Sequence, residues 1–156
     1  MRTKEKGFSL IELLIVVAII LIIAAIAIPN LLRSKMAANE SSAVGSMRTL
    51  NTASVTYSTT YGGYPPALTN LAPAATATST SADLIDSVLA AGTKSGYKFT
   101  WTAGTTDANG NYLGYSIAAA PTSQGTTGQR GFFTNQSGVI RADPSGTATV
   151  NSTPIS

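Results

Sequence analysis

Lys6-Gly7-Phe8-Ser9-Leu10-Ile11-Glu12 leads into sixteen uninterrupted apolar residues, Leu13 to Ile28, and then Pro29. This stretch decides the architecture. Phe8 to Ile28 is 21 residues, about 31 Å as helix, and the hydrocarbon core of a bilayer is about 30 Å thick. Only Ser9 and Glu12 within it are polar. A carboxylate inside such a segment costs about 2.5–3.5 kcal/mol at the helix centre and less toward an end, so it normally persists because it has a partner. A secretory signal would have a shorter apolar core followed by a small-residue cleavage site on its far side. Here the run ends in Ile28-Pro29-Asn30, and the basic residues and Gly7 lie on the near side instead.

Gly7-Phe8-Ser9-Leu10-Ile11-Glu12 resembles the prepilin signature of type IV pilins and type II secretion pseudopilins. Glycine, an apolar residue and glutamate stand at fixed spacing before an apolar helix, and the likeness covers roughly the first 60 residues. The resemblance implies cleavage between Gly7 and Phe8 by a prepilin peptidase, N-methylation of Phe8, and a role for Glu12 as the assembly carboxylate. It also implies a pilin fold, polymerisation with copies of the same chain, an assembly platform and an ATPase as partners, and residence in the inner membrane before export to the bacterial surface.

Physical logic runs parallel to the resemblance. Removing residues 1–7 takes away Arg2, Lys4 and Lys6, the charges that hold an N-terminus in the cytoplasm. The Phe8 α-ammonium of one subunit then neutralises Glu12 of a neighbour when the helices pack together. Losing one member of a buried pair costs about 3–5 kcal/mol, which makes such a pair a register device more than a source of bulk stability. The plainer reading is a signal anchor with Glu12 snorkelling to the headgroups, which leaves the Gly7-Phe8 junction without a role.

At 156 residues the chain is expected to be one small domain plus a membrane helix. Its formal charge of +3 falls to +1 once residues 1–7 go, too little to indicate a nucleic-acid partner. With no cysteine, a domain outside the cytoplasm has to be held by packing and hydrogen bonds rather than disulfides. Many pilins close a C-terminal loop with a disulfide, and this chain departs from that pattern.

The expected fold class is α+β, with a leader 1–7, a long helix 8–61 and a head 62–156. Residues 8–28 form the membrane and assembly segment. Pro29 is expected to kink or loosen the helix, since it removes a hydrogen bond and crowds the carbonyl four residues earlier. From Leu32 to Tyr61, the side chains Met36, Ala43, Met47, Leu50, Tyr57 and Tyr61 form a stripe for the head to cover. Glu40 interrupts that stripe and reads either as an exposed residue paired locally with a cation or as an intersubunit salt bridge. Gly62-Gly63-Tyr64-Pro65-Pro66 ends the helix. Residues 62–95 read as a connecting loop, polar from Leu68 to Ala82, with a short helix over 82–92.

An antiparallel sheet of about four strands is expected within 96–142. Tyr97 to Thr102 alternates, with three aromatics on one face. Asp107 to Asn111 contains an Asn-Gly hairpin signal, and Tyr112 to Ala119 follows as a strand. Gly131 to Thr134 and Gly138 to Ala142 form the last hairpin. The tail from Asp143 to Ser156 is expected to be loosely held.

Chemistry is sparse. Histidine and cysteine are both absent, which removes the usual general base, thiol nucleophile and soft metal ligands. No catalytic residue, cofactor or metal is expected. Asp107-Ala108-Asn109-Gly110-Asn111 superficially resembles a calcium loop but lacks the closing glutamate, and a turn explains it better. Phe8, Tyr57, Tyr61 and Tyr64 suggest an electron-hopping path, against which packing is the simpler account. The reading is therefore a filament subunit serving adhesion or motility. A secretion pseudopilin and a membrane-anchored binding domain are the alternatives.

Overall fold

A computed structural model of the protein describes residues 7–155, so most of the expected leader, 1–6, lies outside the described residues. The chain divides into two compact units, Met1–Lys35 and Met36–Ser156. A single helix, α1 (Leu10–Tyr61), contributes to both. After it come a 3-10 turn (Leu68–Leu71), a one-turn helix α2 (Ser87–Ala90) and six strands. The strands are β1 (Thr93–Lys94), β2 (Tyr97–Ala103), β3 (Tyr115–Pro121), β4 (Gly131–Asn135), β5 (Arg141–Asp143) and β6 (Thr153–Pro154). They form one antiparallel sheet in chain order, and the fold class is α+β.

In the first unit the helix runs unbroken through Pro29, which has no N–H to return to the carbonyl of Ala25. Its end, in the second unit, has a clear physical cause. Gly62 takes φ +83° and its N–H reaches back to the Ser58 carbonyl at 3.0 Å. That left-handed cap carries almost no steric cost in glycine alone.

Within the second unit, Ala43, Met47, Leu50, Ala53 and Tyr57 of α1 are buried in the same core as the sheet's inner face. Tyr97 and Phe99 are buried and Trp101 half-buried, alternating with exposed Lys98, Thr100 and Thr102, as the sequence predicts. Register turns that alternation into packing: Phe99 pairs with Ala119, Ala119 with Phe132, and Phe132 with Ala142. Large and small side chains thus alternate across four strands. Each fully buried large side chain contributes about 1.5–3 kcal/mol.

The sheet has six strands rather than four because short segments outside 96–142 complete its edges. β1 pairs with the start of β2. At the other edge, the tail expected to be loose is stitched down. Thr153–Pro154 pairs with β5, the Ile155 N–H donates to the Ile140 carbonyl at 2.8 Å, and Arg141 donates to the Ser152 carbonyl at 3.0 Å. Polarity suggested solvent; backbone pairing decided otherwise.

Other boundaries moved for local reasons. The helix expected over 82–92 shrinks to Ser87–Ala90, because Asp83 sits at φ +54°, outside the helical region. Asp86 then caps what remains by accepting from the Leu89 N–H at 2.8 Å. The strand expected from Tyr112 begins at Tyr115. Asp107 to Asn111 does form the tip of this hairpin, with the Asp107 N–H donating to the Asn111 carbonyl at 2.9 Å. The fourth expected strand starts at Arg141 rather than Gly138, since Gly138 closes a turn onto the Asn135 carbonyl.

Asn51 joins α1 to the sheet where both are polar. Its amide donates to Thr134 at 3.0 Å and accepts from the Tyr115 hydroxyl at 3.0 Å. Thr134 is fully buried, and burial pushes the Tyr115 phenol up to about 12. Asn51→Ala strands both partners and is expected to cost about 1–3 kcal/mol. Thermal unfolding followed by circular dichroism checks this. Pairing the change with Tyr115→Phe should cost less than the two singles added.

Candidate functional site

From Gly7 to Lys35 every residue is exposed except half-buried Ala24. Seventeen large apolar side chains between Phe8 and Leu32 therefore face outward. Soluble monomers do not present apolar surface of that extent; lipid or other apolar helices must cover it. Among the described residues, this is the one helix long and apolar enough to cross a membrane by length and composition.

Glu12 lies near the start of that surface, and the helix begins where it does partly because of it. The Ser9 N–H donates to the Glu12 carboxylate at 2.9 Å, while the Ser9 carbonyl accepts from the Leu13 N–H at 3.2 Å. Ser9-Leu10-Ile11-Glu12 is half of a capping box: glutamate three residues past the cap satisfies one orphan amide. The helix dipole further favours an anion at this end. Glu12 makes no ion pair among the described residues. The neighbouring backbone thus supports its charge locally.

Gly7 and Phe8 precede the helix and are exposed, Phe8 by 87%. A Cβ placed on Gly7 would meet nothing within 4 Å, so the fold itself imposes no glycine there. Gly7, Phe8 and Glu12 lie together at one helix end. Pro29 is 17 residues beyond Glu12, about 25 Å along the helix, and is not part of the same cluster.

The second unit holds a carboxylate whose partner sequence reasoning missed. Glu40 is neither exposed nor paired with a neighbour along the helix. It is 8% exposed, and one oxygen accepts from the backbone N–H groups of Gln129 and Arg130 at 2.9 and 3.0 Å. The other accepts from Arg130 Nε at 2.8 Å. The Arg130 guanidinium also lies 5.5 Å from the Phe132 ring centre. Burial pushes the Glu40 carboxyl upward, but the two backbone amides and the Arg130 side chain outweigh it and hold it below the usual range. The next residue, Gly131, lies so close to Gly146 that a Cβ on it would strike the Gly146 carbonyl. A carboxylate inside an apolar stripe signals a partner; which of the distant cations supplies it cannot be read from spacing.

Asp107 is occupied by its own turn. Its carboxylate accepts from the N–H groups of Asn109 and Asn111 at 2.8 and 2.9 Å. Among the described residues no group of three or more histidine, cysteine, aspartate or glutamate side chains is placed to hold a metal ion. Tyr57 and Tyr61 pack with ring centres 4.6 Å apart, and Tyr64 packs on Tyr115 at 5.0 Å.

Comparison with known proteins agrees with this geometry. Residues 2–28 match the prokaryotic N-terminal methylation motif. The chain is 62% identical over 37 residues to the type IV wide pilus major component PilA4 of Thermus thermophilus, covering 24% of this chain and 28% of that protein. It is 50% identical over 50 residues to the type IV major pilin protein PilA of Myxococcus xanthus, covering 32% of this chain and 23% of the relative. The matches thus span less than a third of either relative. No solved structure matches the chain.

Proposed function

We propose, for a chain that belongs to the type IV pilin family by its N-terminal segment, that it is the precursor of a structural subunit of an extracellular pilus. Residues 1–7 are its leader, 8–61 its assembly and support helix, and 62–156 its head. Cleavage falls between Gly7 and Phe8, and Phe8 becomes the methylated terminus. The observation that carries this reading is the outward-facing apolar helix with a single carboxylate in its first turn.

Before assembly, lipid covers the apolar side chains and the chain spans the inner membrane once. In the filament, neighbouring helices replace lipid, so lateral transfer exposes little apolar surface to water. Glu12 then needs a counter-charge, and the Phe8 ammonium of an adjacent copy supplies it. A head-to-tail contact that does not close propagates as an open helical polymer. The head faces outward, where it serves adhesion, motility or other surface contact. The freedom around Gly7 supports a demand from outside the fold, namely the binding subsite of a prepilin peptidase that also methylates Phe8. An assembly platform and an ATPase complete the machinery, and no catalytic role falls to this chain.

Intact-mass and N-terminal analysis of the protein sheared from the source cell tests the reading. A chain beginning at methylated Phe8 is the expected result. A surface protein still carrying Met1 through Gly7 overturns it.

A further inference from the structure

Beside the end of α1 the head contains an open cleft of about 210 Å³. Its lining includes four tyrosines, Tyr57, Tyr61, Tyr64 and Tyr112, together with Ser79 and Asn111, and no charged side chain. Tyr57 is the deepest of them, 5% exposed, with its hydroxyl donating to the Ser79 carbonyl at 2.6 Å. Tyr64 and Tyr112 are fixed by their backbones, the Tyr64 N–H donating to the Tyr112 carbonyl at 2.9 Å. Gly63 lies so close to the opposite loop that a Cβ there would sit 2.8 Å from Asn111 Cβ. The walls are therefore preset by main-chain contacts rather than assembled by a ligand.

Polar groups divide into two sets. The hydroxyls of Tyr57, Tyr97 and Tyr115 each donate to a protein acceptor. Those of Tyr61, Tyr64 and Tyr112 have no protein partner among the described residues and are not buried. Asn111 gives one amide hydrogen to Asp107 at 3.2 Å, leaving its carbonyl without a protein donor. The cleft thus offers aromatic surface with unspent donors and acceptors around it. Three tyrosines with unpaired hydroxyls lining one concavity is more than helix–sheet packing requires.

We propose that this cleft binds a single neutral sugar ring, a pyranose presented by a glycan. Tyrosine faces cover the apolar C–H surface of such a ring, while phenol hydroxyls and the Asn111 carboxamide exchange hydrogen bonds with its hydroxyls. The volume lies below the 300–1,000 Å³ typical of drug-sized ligands and suits one ring. The absence of a charged lining disfavours acidic and basic ligands alike. A tyrosine cage can also hold a quaternary ammonium through cation–π attraction, but that use leaves the hydroxyls and the amide idle.

The test uses the full chain, ¹⁵N-labelled, in a detergent without a sugar headgroup. It is titrated with methyl β-D-glucopyranoside, methyl β-D-galactopyranoside and methyl α-D-mannopyranoside, with the amides of Gly63, Gly110, Asn111 and Tyr112 followed by NMR. At least one glycoside is expected to give saturable shifts at these amides with a Kd on the order of 1–10 mM. Tyr61→Ala and, separately, Tyr112→Phe should weaken that binding, the first by about tenfold. Both leave the Tyr64–Tyr112 main-chain contact in place, and unchanged amide shifts in the distant strands β4 and β5 verify the fold. Absence of saturable shifts with all three glycosides overturns the proposal. So do saturation by tetramethylammonium chloride in their place and unchanged affinity in the Tyr61→Ala chain.

Discussion

Replacing Glu12 with alanine is expected to leave the head folded and the Gly7–Phe8 junction cut, while surface filaments disappear. Among the described residues, the hydrogen bond that Glu12 makes is with the N–H of Ser9, three residues away. Loss of that local cap costs about 1 kcal/mol at one helix end. On the proposed assembly the larger loss comes in the polymer, where the Phe8 ammonium of a neighbour would be left buried without its counter-charge, at about 3–5 kcal/mol per subunit. A penalty of that size weakens each addition by roughly a hundredfold or more. Glu12→Gln separates the two roles, since glutamine at the third helical position still caps the Ser9 amide but carries no charge. Filament counts by electron microscopy should therefore fall as severely with glutamine as with alanine. Normal piliation in the alanine chain refutes an assembly role, and piliation rescued by glutamine reassigns Glu12 to capping.

Glu40→Ala is expected to destabilise the head by about 2–4 kcal/mol. Two backbone amides, of Gln129 and Arg130, lose their acceptor, at about 1–3 kcal/mol for each that stays buried. Arg130 loses an ion pair but is 47% exposed, so water replaces much of that contact and Arg130→Ala should cost only about 1 kcal/mol. Glu40→Gln should fall between, because its carbonyl still accepts from the backbone. Urea or thermal unfolding of the three variants gives the order; an Arg130→Ala chain less stable than Glu40→Ala contradicts it. The pH dependence carries a definite sign. The folded-state pKa of Glu40 is lowered from its ordinary value of 4.5, so its contribution is full above that value. It is lost as pH falls through the lowered one. Asp86, Asp107 and Asp143 are shifted the same way, so every variant weakens in acid. The fall in stability below pH 4.5 should nonetheless be shallower in Glu40→Ala than in the parent chain.

The contrast between these two carboxylates shows what could be read from the chain directly. Glu12 stands in a segment whose reading depends on local spacing. The cap Ser9, the glutamate three residues on and the apolar run all lie within one turn or a few turns of helix. Glu40 was visible as an anomaly in the Met36–Tyr61 stripe, yet its partner stands 90 residues away in sequence. Loop closure over such distances leaves no periodic trace. The shortening of the helix expected over 82–92 to Ser87–Ala90 and the pairing of the tail escaped for a similar reason. A left-handed Asp83 and a strand edge that needs covering are properties of backbone geometry, which polarity patterns do not encode.

Composition and periodicity alone determined that a long helix, read over 8–61 and observed as Leu10–Tyr61, comes first, that its first part is almost wholly apolar, and that aromatic alternation builds a sheet after it in the chain. Those signals are local, since hydrophobic burial repeats every 3.6 residues in a helix and every two in a strand. Tertiary structure decided what closes the sheet at its edges, which cation neutralises Glu40, and which tyrosines keep their hydroxyls for solvent. Each of those outcomes turns on two distant segments meeting within hydrogen-bond distance, and only the folded chain brings them there.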